Sequence, residues 1–69
     1  MNPDTKMQAL SLIDYLALPQ QKAKHGADNC AFMQGTLRFH LGASTPEQNE
    51  PQLIEDIAAI KRILQMEAE

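Results

Sequence analysis

The stretch Asp28 to Leu41, DNCAFMQGTLRFHL, decides the fold, because it supports two incompatible readings. Read as a helix, it is capped by Asp28. Cys30, Met33, Leu37 and Leu41 then form one stripe, and Phe32 and Phe39, seven residues apart, form another. Read as strand, Leu37, Phe39 and Leu41 alternate with Arg38 and His40 between Gly35 and Gly42, and Gln34-Gly35 becomes a hairpin tip. Gly35 costs a helix about 1 kcal/mol relative to alanine. Against the strand stand the lack of any valine, the absence of other strand candidates, and CAFM at 30–33, which does not alternate. An isolated hairpin is also marginal in water. We therefore read 28–41 as a helix; an α+β fold with a short hairpin at 30–41 is the alternative. Apolar residues on two sides suit a middle helix contacted from two directions.

The segment before it opens with a helix start. Asn2 can cap, Pro3 suits the first helical position, and Asp4 sits at the positive end of the helix dipole. Ala9, Leu10, Ile13, Leu16 and Ala17 recur on one face, with Leu12 and Leu18 at its flank. Pro19 pushes Leu18 out of helical geometry, so the helix is expected over 3–18. Residues 19–27 read as a mobile connector. They hold a short helical turn with Pro19 at its start, Gly26 as its terminator, and Ala23 as the only apolar residue of 19–26.

After the middle segment, Thr45-Pro46-Glu47-Gln48 fits a capping box, and Asn49-Glu50-Pro51-Gln52 offers a second start. Leu53, Ile57, Ile60 and Leu64 follow at spacings of four, three and four, flanked by Ile54 and Ile63, and predict a helix over 46–67. Two heptads are too few for a coiled coil but enough for antiparallel packing. The expected architecture is all-α. Residues 1–69 form a single small three-helix domain, a helical hairpin plus a middle helix.

Size bears on how that domain is completed. A chain of 69 residues hides only about 60% of the surface its unfolded form exposes. Eight Leu, five Ile and four Met, with Phe32, Phe39 and Tyr15 as the only aromatics, are a thin supply for a core, so either the helices are well packed or a second chain completes it; a homodimer is expected. The length and composition exclude a multidomain enzyme, a collagen-like fibre and a disulfide scaffold. Cys30 is the one cysteine and points to a reducing compartment or a free thiol. The longest apolar runs are four residues, against the roughly 20 a membrane helix needs. No basic-then-apolar start resembles a signal peptide. A soluble, cytoplasmic chain is the expectation.

Charge is uneven. Residues 1–42 carry a net of +1 and residues 43–69 a net of −4, for a total of −3. Phosphate neutralisation supplies most of the affinity of nucleic-acid binders, so an acidic total argues against nucleic acid as the partner. The acidic last third reads as a solvated surface or a patch facing a basic protein.

Few residues can carry chemistry. His25, Cys30 and His40 are the only soft metal ligands, and their gaps of five and ten positions lack the tight local pairs of structural zinc sites. Cys30 near a helix start is a conceivable nucleophile, but it falls on the Met33, Leu37, Leu41 stripe and reads as a small buried hydrophobe. His25 reads as a helix-end residue and His40 as part of a polar face. No phosphate loop or catalytic triad pattern occurs. No enzyme, cofactor or metal is expected.

Two binding readings remain. Ala23 to Gly26 followed by the 28–41 helix resembles a degenerate helix-turn-helix, with Lys22, Lys24, Asn29, Gln34 and Arg38 as the side chains that would meet DNA. The first helix would be short, and the second carries too many apolar residues. The favoured reading is a non-catalytic regulatory or adaptor protein that binds another protein, or a second copy of itself, through an apolar helical face. Phe32, Phe39, Arg38 and Met33 are the residues expected to carry it. Small acidic helical chains of this length are frequent among phage and mobile-element accessory proteins that modulate host machinery, an association resting on size alone.

Overall fold

Proline opens three of the helices and glycine joins the other. The computed structural model describes residues 1–43 and 46–65, which form α1 (Pro3–Leu16), α2 (Pro19–His25), α3 (Ala27–Leu41) and α4 (Pro46–Leu64). There is no strand among the described residues. In α1 the Asn2 side chain accepts the Asp4 N–H at 2.8 Å, capping one of the amides a helix start leaves unpaired. The helix ends two residues earlier than expected. The N–H groups of Ala17 and Leu18 turn to carbonyls three residues back, on Asp14 and Tyr15, and Leu18 adopts ψ 139° ahead of Pro19.

The segment read as a connector carries a helix of its own. α2 is held to α1 by Gln21, whose Nε2 donates to the Tyr15 hydroxyl at 2.9 Å. Gly26, at φ 91°, both terminates α2 and precedes α3, a conformation that a side chain would strain. This turn lets α3 begin at Ala27, so Asp28 lies within the first turn and does not cap it. The Asn29 amide instead reaches back to the His25 carbonyl at 2.8 Å. The described residues therefore form four helices where three were expected.

α3 runs unbroken through Gly35, and the hairpin at 30–41 is overturned. The reason is parity. A strand would place Met33 and Leu37 on one side and Cys30 on the other, whereas the helical repeat buries all three together. α4 takes the first of its two starts and carries Pro51 inside its second turn. Its expected cap, Thr45, and its expected end at residue 67 lie outside the described residues.

Among the described residues the core is one cluster. Ala9, Leu12, Ile13 and Leu16 of α1 meet Cys30, Met33 and Leu37 of α3 and the Leu53, Ile57, Ile60, Leu64 seam of α4. Leu10 and Ala17, expected on the buried face of α1, are exposed, and Leu12 takes that place. Glu50 ties the start of α1 to α4 by accepting the Asn2 N–H at 3.0 Å and the Thr5 hydroxyl at 3.5 Å. α3 packs against each of the other three helices. The Cα radius of gyration is 11.8 Å, near the ~11 Å of a folded chain this long. The thinnest Cα extent, 15 Å, is two helix layers at roughly 9 Å between axes. Among the described residues nothing covers the outer side of α3.

Candidate functional site

That open side is where the two phenylalanines stand. Seven residues are two helical turns, so Phe32 and Phe39 point the same way, about 10 Å apart along the axis. They are 75% and 69% exposed. Gly35 and Thr36 form the floor between them. Beside this ridge runs a groove of about 450 Å³ between α3 and α4. Phe32, Met33 and Thr36 line one wall and Ala59, Ile60 and Ile63 the other, with His25 and Asn29 toward α2 and Asp56 at the far end. Exposed apolar residues of this kind, grouped around a concave surface, mark binding surfaces more than scattered ones do.

Of the residues expected to carry partner binding, Phe32, Phe39 and Arg38 are exposed on α3. Met33 is not part of that face. It is 7% exposed and belongs to the core, contributing only the base of the groove wall. The DNA-reading set is not wholly at the surface either. Lys22, Lys24, Asn29 and Arg38 are exposed, but Gln34 is buried and donates through Nε2 to the Ile13 carbonyl at 2.9 Å. That carbonyl is free to accept because the last turn of α1 tightens and the Ala17 N–H goes to Asp14 instead. Asn29 is likewise engaged with His25.

Cys30 is fully buried, and its Sγ donates to the Gln21 carbonyl at 3.5 Å. No group of three His, Cys, Asp or Glu side chains among the described residues is placed to hold a metal ion. His40 is a correction. Expected on a polar face, it is buried, with Nε2 2.6 Å from Asp56 Oδ2, while Gln52 donates to the other Asp56 oxygen at 3.0 Å. The signal was present: His40 lies three residues after Leu37 and seven after Met33, on the core stripe, and Asp56 lies three after Leu53. Ile63 and the α4 wall of the groove were also missed, because nothing in one helix's pattern tells which exposed residues of another will stand beside it.

Comparison with protein-family models, with curated proteins and with solved structures finds no match to this chain. No helix among the described residues is long and apolar enough to cross a membrane.

Proposed function

We propose that this protein acts by protein–protein binding through the outer face of α3, as a small regulatory or adaptor module, and that it does so without catalysis. The observation that carries this reading is the exposure of Phe32 and Phe39. Three polar bonds fix the rotation of α3: Cys30 to Gln21 of α2, Gln34 to Ile13 of α1, and His40 to Asp56 of α4. Turning the helix to hide the rings would break all three and uncover Met33 and Leu37. The rings are therefore held in solvent by the same contacts that complete the core, and a partner is what would cover them. The only thiol is sealed among aliphatic side chains, which favours binding over nucleophilic chemistry.

The test is affinity capture from the organism that makes the protein, with the wild-type chain and a Phe32→Ser/Phe39→Ser double variant as parallel baits. A partner retained by the first and lost by the second, with helicity by circular dichroism unchanged, is the expected result. Identical capture by both baits would remove the reading.

A further inference from the structure

We infer that the partner of this face is a second copy of the chain, packed with its α3 antiparallel to the first about a two-fold axis between Gly35 and Thr36. The inference rests on the protein-binding reading above and names its occupant. Phe32 and Phe39 are symmetric about the 35/36 midpoint, so an antiparallel copy sets Phe32 against Phe39 of the partner subunit and does so twice. Between the two ring pairs lies Gly35, where an added Cβ meets nothing within 4 Å, so the backbones can approach closely at the axis.

Charge selects the orientation. Asp28 and Arg38 are exposed at opposite ends of α3 and fall on the same flank of the phenylalanine ridge at 100° per residue. No hydrogen bond or ion pair to either side chain is present among the described residues. In a parallel pair the two-fold axis runs along the helices and sets the two charged flanks on opposite sides of the contact, so Asp28 meets no Arg38. In the antiparallel pair Arg38 of the partner subunit lies about 7.5 Å along the axis from Asp28, within reach of an arginine side chain. The helix dipoles are then opposed as well. The two rings offer on the order of 250 Å² per protomer, roughly a third of the ~800 Å² each side of a standard interface buries. The small residues and the charged flank supply further contact around that centre, which is the anatomy of a weak, reversible dimer.

Sedimentation equilibrium on the full chain from about 1 μM to about 1 mM tests this, a range that brackets weak association. The expected mass rises from 7.7 kDa toward twice that value. Phe32→Ser/Phe39→Ser and, separately, Gly35→Arg should each weaken association at least about tenfold. Gly35→Arg points into open space and raises helix propensity, so it leaves the fold intact. Asp28→Arg should weaken the dimer, and Asp28→Arg/Arg38→Asp should restore it, which no merely structural role predicts. A chain that stays at 7.7 kDa throughout, or a dimer indifferent to both Gly35→Arg and the phenylalanine pair, overturns the inference. The capture experiment still decides the protein-binding reading, because a monomer whose phenylalanines retain another protein loses only the second copy.

Discussion

The two faces of α3 are built on opposite rules. The inner face carries Cys30, Met33, Gln34, Leu37 and His40, all buried, and each of its three polar groups bonds a different neighbouring helix. The outer face carries Phe32, Gly35 and Phe39, all exposed, and none of them bonds another element through its side chain among the described residues. Apolar burial is nondirectional and would tolerate several rotations of one greasy helix among three others. The directional bonds select one, since each requires a particular donor at a particular carbonyl or carboxylate. The comparison shows why a chain with few large apolar residues leaves its two largest in water: the inner face specifies the fold, and the bonds it makes leave the outer face exposed.

Removing inner-face packing should break the fold. Leu37 is fully buried where α1, α3 and α4 meet, and Leu37→Ala should cost about 3 kcal/mol by transfer and cavity terms. For a domain this small that lowers the melting temperature by more than about 12 °C, readable by thermal circular dichroism. A loss under about 1 kcal/mol would mean that the inner face is not the core. Gln34→Leu is the next largest. It keeps volume but strands the Ile13 carbonyl against the α1/α3 joint, at a cost of about 2 kcal/mol in urea denaturation. Neutrality would show that α1 can regain its bond from Ala17 and that the rotation of α3 is not polar-locked.

How far the residues alone revealed this structure follows the same division. The seam of α4 and the Pro3, Pro19 and Pro46 starts were legible because periodicity and fixed φ act within a few residues. The helical state of 28–41 was legible only through parity, as Cys30 cannot join Met33 and Leu37 in a strand. The exposure of Phe32 and Phe39 was partly legible, since their stripe differs from that of Leu37. What stayed hidden needed two elements at once. His40 and Gln34 looked like surface residues until Asp56 and the bypassed Ile13 carbonyl were set opposite them, and the groove wall at Ile63 depends on how α4 lies along α3. A polar residue on an apolar stripe signals burial, but its partner is a property of the packed fold.

On the outer face the expected effects are smaller and one reverses sign. Gly35→Ala adds a Cβ into open space in mid-helix, and at dilution it should stabilise the fold by about 0.5–1 kcal/mol. Destabilisation of the dilute protein would mean that Gly35 is already packed against something, which would erase the contrast between the faces.

The smallest effect on the dilute fold belongs to the largest exposed side chains. Phe32→Ser and Phe39→Ser remove rings that are 75% and 69% exposed, and serine and phenylalanine have similar helix propensities. At low micromolar concentration each should change unfolding free energy by less than about 0.5 kcal/mol, against six times that for Leu37→Ala. The comparison sharpens on raising concentration. If the outer face is buried by association, wild-type stability climbs with protein concentration while the serine variants stay flat, because only the folded chain can pair. A cost above about 1 kcal/mol at dilution would place the rings inside the monomer's own core, and α3 would then have two inner faces.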